Sequence, residues 1–321
     1  MQTTKSILLI YNPRSGSSFR RPSAEKIAAS FDPQRFNVEI AQTVCRGQAT
    51  QIARTRGPAY DLVVCCGGDG TLNEVITGLM RAQRRPGLGY IPIGTTNDMA
   101  AAIGIPTDLQ QAAALIMDGH TRALDIGQWN DRYFSYVACF GLGVHVSYKT
   151  PQLMKNLFGY SAYMINGFGF QTIPTLRQVR PRHIRIEFDN GQVLEDDFYF
   201  GTVSNATTVA GMFHFNPGDV LLNDGEFELL LVRRLKKPTD IFRMIRRIKA
   251  RDYDGDSLIY QKITGARFLF DAPEPWSLDG EFGGRPEIAD FRLLPQAIEI
   301  FAPKNSLFLP EKEAAGSERE A

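Results

Sequence analysis

The fold is decided by Tyr60-Asp61-Leu62-Val63-Val64-Cys65-Cys66-Gly67-Gly68-Asp69-Gly70-Thr71-Leu72-Asn73-Glu74-Val75. Its first part is a short, apolar, β-branched run of the kind that forms a strand buried on both faces. Downstream, Leu72, Val75, Ile76 and Leu79 recur at helical spacing, so the glycines occupy a strand-to-helix turn. Glycine there lets the backbone approach a bulky anion, and free N–H groups at a helix start can hold it. Asp69 repels a bare phosphate, which makes it better suited to a magnesium ion bridging nucleotide oxygens. A tight turn in which Gly-Asp-Gly is chosen for conformation alone is the competing reading at this point.

Outward from this stretch, residues 5 to about 127 alternate strand and helix. Strands are expected near 5–11, 36–42, 61–66, 88–93 and 121–126, with helices near 23–31, 47–56, 71–83, 97–102 and 107–118. Strands separated by single helices imply right-handed crossovers and a parallel sheet, and ligands gather at the carboxyl ends of its strands. The polar turns at 12–16, 67–71 and 94–98 therefore converge on one edge. In the last of them Thr95 and Thr96 can donate to phosphate oxygens, Asn97 starts a helix and Asp98 adds a second carboxylate; a plain helix cap by Asn97 and Asp98 is the alternative.

After Asp125 the texture changes. Runs at 132–140, 182–188, 193–203, 226–232, 258–263, 266–270 and 291–301 read as strands parted by turns such as Asp189-Asn190-Gly191 and Asn223-Asp224-Gly225, which points to an antiparallel β-sandwich. The expected organisation is an α/β domain over 1–127, a β-sandwich domain over 128–303 and a tail over 304–321. Two helical insertions stand out. Segment 148–170 is rich in large apolar groups and reads as an acyl-chain pocket or a core helix. Residues 233–251 hold nine basic residues and one acidic residue, Asp240, with Ile241, Met244, Ile245 and Ile248 forming an apolar stripe. That segment suits either an anionic bilayer surface or packing on its own domain.

Composition excludes several classes. The 321 residues are 43% hydrophobic and 22% charged, ordinary for a globular protein and unlike disordered or fibrous chains. The net charge of +1 gives no general pull toward nucleic acid. No run reaches the roughly 18 apolar residues of a membrane span, and the N-terminal run reads as a strand rather than a signal peptide, so a cytoplasmic protein with reduced Cys45, Cys65, Cys66 and Cys139 is expected. The four histidines lack ligand spacing. A Walker-type G-x-x-x-x-G-K-[ST] is absent.

Four blocks in order, Asn-Pro-Arg-Ser-Gly at 12–16, Gly-Gly-Asp-Gly-Thr-Leu-Asn-Glu-Val at 67–75, Pro-Ile-Gly-Thr-Thr-Asn-Asp at 92–98 and Leu-Asp-Gly-Glu at 278–281, resemble the bacterial soluble lipid kinases with a diacylglycerol kinase catalytic domain. The resemblance runs from about residue 5 to 303. It implies an ATP- and magnesium-dependent kinase of lipid metabolism, working in a cleft between two domains at the inner face of a membrane, most plausibly on diacylglycerol; family relatives are often homodimers. It carries the nucleotide pocket onto Asn12, Pro13, Arg14, Ser15, Gly16, Thr43, Gly68, Asp69, Gly70, Thr71, Leu72, Asn73, Glu74 and Thr95. The catalytic roles pass to Asp69, Asp98 and Glu281, with Glu281 as general base. A structural magnesium ion is implied at Asp224 and the carbonyls of Leu221 and Glu226, and Asp125 joins the magnesium and water network. This chain has Asn223 where many relatives carry Asp, which puts one charge fewer near that ion. NAD kinases share the G-G-D-G-T core, but the blocks at 92–98 and 278–281 favour the lipid branch. A non-catalytic lipid- or nucleotide-binding protein is the other alternative, against which intact Asp69, Asp98 and Glu281 argue.

Overall fold

The computed structural model describes residues 4–16, 21–141, 180–209, 213–216, 218–235, 237, 240–253, 255–304 and 306–309. The first half alternates β1 (Lys5–Tyr11), α1 (Ala24–Ala28), β2 (Phe36–Gln42), α2 (Gln48–Thr55), β3 (Leu62–Gly67), α3 (Asp69–Met80), β4 (Gly87–Pro92), α4 (Asp98–Ile103) and α5 (Leu109–Asp118). The strands run parallel in the order β2-β1-β3-β4. The period-2 geometry of β1 explains its unbroken apolar run. Leu8 and Ile10 enter one core with α2, α3 and α4, while Ile7, Leu9 and Tyr11 enter another with α1 and α5. Helices on both faces leave the carboxyl ends of the strands open, and the turns at 12–16, 67–69 and 93–97 lie there.

The second half is antiparallel. It comprises β5 (Thr121–Trp129), β6 (Arg132–Phe134), β7 (Val137–Gly141), β8 (Arg182–Phe188), β9 (Val193–Ser204), β10 (Thr208–Val209), β11 (Phe213–His214), β12 (Phe227–Arg233), α6 (Asp240–Ala250), β13 (Leu258–Ile263), β14 (Gly265–Phe270), β15 (Trp276–Leu278), β16 (Glu281–Gly284) and β17 (Ile288–Phe301). The path β16-β15-β7-β9-β8-β14-β17 carries two branches, β12 with β13 on β9, and β5 with β6 on β17. Trp129 of β5 and Trp276 of β15 meet with ring centroids 3.9 Å apart, although their strands are not paired. Layers therefore face one another across an aromatic core that also holds Phe134, Phe140, Phe227 and Phe268. The last strand closes the molecule: β17 pairs with β5 along its length and meets β4 at Ile300 opposite Leu88. A register shift between Leu294 and Ile298 contains Gln296 at φ +47°, and this bend re-aims the strand from one sheet region to the other.

Three expectations change. The run 132–140 is two strands, because the chain breaks at Ser135 and Tyr136 to present N–H groups to a buried carboxylate described below. In α6, Met244 is buried and Ile245 and Ile248 pack on the adjoining core with Phe213, Phe215 and Tyr253, so of the two readings for this segment these three residues follow packing on its own domain. Past residue 303 the chain still packs: Phe308 joins the core beneath the parallel sheet, and the Leu222 N–H donates to the Leu307 carbonyl at 2.7 Å. Segment 148–170 lies outside the described residues. Among those described, no helix is long and apolar enough to cross a membrane.

Candidate active site

Gly68 stands at the start of α3 and no side chain among the described residues caps that helix end. A helix start of this kind is an anion site. Its surroundings are fixed by small polar groups from the first strand: Asn12 Nδ2 donates to Thr71 Oγ1 at 2.8 Å, and the Gly68 N–H donates to Ser15 Oγ at 3.3 Å. The turn after β4 is pressed against the same backbone, since a Cβ on Gly94 would fall 2.5 Å from the Gly68 Cα. Only glycine fits there.

Asp69 turns away from the helix it begins. Its carboxylate accepts from the Asp98 and Met99 N–H groups, both at 3.1 Å, and so caps α4 across the turn. Asn97 starts α4 as expected, but the alternative of a cap by its side chain is not taken up: it has φ +53° and spends that side chain on both Gly94 backbone groups. Asp98 lies beside Asp69, with the Tyr136 hydroxyl 3.3 Å from Oδ2. Partial burial, and then the Asp69 charge, raise the Asp98 carboxyl above its ordinary value. Two neighbouring acids with no cationic side chain paired to them among the described residues suit a phosphate-borne magnesium ion, which needs only one or two protein carboxylates and can share oxygens that also accept an N–H.

The Leu-Asp-Gly-Glu block arrives from the far end of the chain. Asp279, 5% exposed and at φ +47°, accepts from the N–H groups of Ser135, Tyr136 and Val137, from the Ser135 hydroxyl and from Asn73 Nδ2, over 2.8–3.1 Å. This buried knot pins the hairpin of β15 and β16 to α3. Glu281 then projects over the glycine turn, where Arg46 donates to Oε2 at 2.6 Å.

Together these elements enclose a cleft of about 660 Å³. Of the residues anticipated for the nucleotide, Asn12, Arg14, Ser15, Thr43, Gly68, Gly70, Thr71, Asn73 and Glu74 line it, as does Glu281. Thr95 is exposed outside that lining, Leu72 is buried in the core at 1% exposure, and Pro13, Gly16, Asp69 and Asp98 adjoin the cleft without lining it. Glu74 also has a structural task, capping α2 through the Gly47 and Ala49 N–H groups. The lining adds Arg46, Arg81 and Arg132, which surface-type arginines without local pattern did not announce. Four guanidiniums, counting Arg14, against the carboxylates of Glu74 and Glu281 make the cleft a receptor for a polyanion.

The implied structural magnesium set does not fit. Lys262 Nζ lies 2.7 Å from Asp224 Oδ2 and 3.3 Å from Glu226 Oε2. Asp125 is fully buried, and its two oxygens accept from the Gln296 and Gly225 N–H groups at 2.6 and 2.8 Å. Burial raises the Asp125 carboxyl, against the pull of those N–H donors. Among the described residues no group of three or more His, Cys, Asp or Glu side chains could hold a metal ion.

Residues 6–129 match the model of the diacylglycerol kinase catalytic domain. The chain is 32% identical over 298 residues to a diacylglycerol kinase of Bacillus subtilis (strain 168), covering 92% of this chain and 96% of that one. Against a diacylglycerol kinase of Staphylococcus haemolyticus it is 33% identical, covering 92% and 88%. A solved diacylglycerol kinase structure from Bacillus anthracis str. Sterne shares the fold, with a TM-score of 0.67 at 22% identity, covering 93% and 97%. Another solved chain from that organism reaches 0.73 at 25% identity over the same shares.

Proposed function

The chain belongs to the diacylglycerol kinase family, and from that premise we propose that this kinase transfers the γ-phosphoryl group of ATP to a lipid hydroxyl, diacylglycerol giving phosphatidic acid. The observation that carries the reading is the meeting of Glu281 with the glycine turn in a cleft lined by arginines. Backbone N–H groups at the start of α3 and the Arg14, Arg46, Arg81 and Arg132 side chains would hold the triphosphate. The acceptor oxygen forms its bond to phosphorus as the bond to the ADP oxygen breaks, and Glu281 takes the hydroxyl proton late. In a loose transition state most of the rate comes from position and charge neutralisation rather than from the strength of the base. Asp69 and Asp98 would hold a magnesium ion, which when bound neutralises phosphate charge.

The same reading gives α6 a surface role. Phe242 is 55% exposed beside Arg243 and Arg246, an arrangement suited to resting on an anionic bilayer rather than entering it.

The test is transfer of labelled γ-phosphate from ATP with magnesium into diacylglycerol, sphingoid bases, phosphatidylglycerol and polyprenols in mixed micelles, and into NAD in a parallel reaction, with Glu281→Gln as the blank. One labelled lipid that disappears in the variant is expected. Label in NAD alone, or in nothing while the fold is intact, overturns the proposal.

A further inference from the structure

We propose that Lys262 replaces a divalent metal ion as the built-in cation of the 221–226 loop, so that this loop is held without metal. The ammonium group comes from β13 and reaches Asp224, the one side-chain ligand of the implied ion, at 2.7 Å, and the Glu226 carboxylate at 3.3 Å. The Asp224 contact is sheltered: the Lys262 side chain is 28% exposed and that of Asp224 12%, against 46% for Glu226. An ion at the 2.0–2.6 Å ligand distances of magnesium or calcium would need the same Asp224 carboxylate and would repel the ammonium.

The neighbouring side-chain oxygens are committed elsewhere. Asp224 Oδ1 accepts from the Glu226 N–H at 3.1 Å. Asn223 Oδ1 accepts from the Leu309 N–H at 2.7 Å, so the position that lacks a carboxylate has found another use. The two Asp125 oxygens are occupied by N–H donors, as above.

The loop matters because it sits at the junction of the parallel and antiparallel strands. The Asp125 N–H and Asn205 Nδ2 both donate to the Leu222 carbonyl, and the Gly225 N–H returns to Asp125. Asp125 in turn anchors Gln296 at the bend of β17. A cation that gathers Asp224 and Glu226 therefore fixes the join between the two strand regions, and here it is covalently tethered. This goes beyond the phosphoryl-transfer reading and stands or falls without it.

The test is metal content by mass spectrometry after dialysis in metal-free buffer, with thermal melts in EDTA and then in millimolar magnesium or calcium. The wild-type chain is expected to carry far less than one ion and to melt unchanged in all three buffers. Lys262→Ala is expected to melt roughly 3 °C or more lower in EDTA and to recover when either ion is added, while Lys262→Arg stays indifferent to metal. One tightly held ion per wild-type chain, or a wild-type melt that falls in EDTA, overturns the proposal even if Lys262→Ala fails to fold. A Lys262→Ala melt that no ion restores overturns it too, since an exchangeable cation position is what it asserts.

Discussion

Glu281 rests on Gly70: a Cβ placed at residue 70 would lie 3.1 Å from Glu281 Oε1. Gly70 is in the first turn of α3 with an ordinary backbone angle, so alanine there suits the helix. What must give is the carboxylate, the movable end of a side chain. Gly70→Ala should fold with a melting temperature within about 2 °C of wild type while kcat falls by roughly 100-fold from displacement of the carboxylate. Circular dichroism melts and steady-state kinetics on the same preparation check both halves. A variant with full activity would separate Glu281 from the chemistry.

Asp279 is the reason Glu281 is there. Removing its carboxylate leaves three backbone N–H groups at residues 135–137 without their acceptor in a buried site, while the Asn73 amide keeps the Tyr133 carbonyl. Orphaned buried donors cost about 1–3 kcal/mol each when none can reach water, so Asp279→Ala should lose at least about 3 kcal/mol in urea unfolding. Asp279→Asn keeps the volume but sets an amide donor against other donors. It should also be destabilised, and in both variants kcat should fall further than the affinity for ATP.

The parallel half of the fold is legible because its signals are local. Strands such as Ile7–Tyr11 and Leu62–Cys66 are apolar on both faces, and the polar turns follow at fixed offsets. The convergence of Asn12, Ser15, Gly68 and Thr71 follows from that topology alone. The break at Ser135 and Tyr136 is not legible, since the cause is a carboxylate more than 140 residues later in the chain. Nor are β15 and β16, three and four residues long, β15 held by pairing with β7 and β16 by pairing with β15. The cap of α4 was sought in Asn97 because caps are usually local, whereas the acceptor comes from Asp69. Lys262 carries no pattern at all, and only its placement opposite Glu228 in the β12–β13 register brings it to the loop.

Asp98 illustrates a conflict between stability and activity. Partial burial and the Asp69 charge raise its carboxyl, so its ionised form is less favourable in the folded chain than in the unfolded one. The sign follows: this group's own contribution to stability is greatest at acidic pH, where Asp98 is protonated, and declines as pH rises from the unfolded value through the raised folded one. Asp98→Asn should therefore melt as high as wild type or slightly higher at pH 7, while phosphate transfer is lost. A melt that drops by several degrees would mean that the carboxylate, through Tyr136, stabilises the fold.

Arg46 meets Glu281 at 2.6 Å with side chains 70% and 45% exposed. An exposed pair of this kind contributes little to folding. On the proposed function, its position on the cleft wall would let it pass from Glu281 to a phosphate when nucleotide enters. Arg46→Ala should leave the melting temperature within about 2 °C and raise KM for ATP several-fold, with a smaller change in kcat. Isothermal titration with a non-hydrolysable ATP analogue separates that loss of binding from a change in chemistry.

Glu228 lies fully buried on β12, and neither carboxylate oxygen finds a hydrogen-bond partner among the described residues. Burial pushes its carboxyl up to about 9, with the Lys262 ammonium pulling the other way. At neutral pH the folded chain therefore holds a proton on Glu228 that the unfolded chain releases. Between the ordinary carboxyl range and pH 9 this group alone lowers stability as pH rises, by at most about 1.4 kcal/mol per pH unit. Glu228→Gln keeps the shape and removes the titration, so it should melt close to wild type near pH 5 and progressively higher than wild type toward pH 8.5. Paired melts across that range give the difference directly. A flat difference would place Glu228 in contact with a donor or with water that holds it ionised, and a wild-type chain more stable at pH 8.5 than the variant would reverse the assignment.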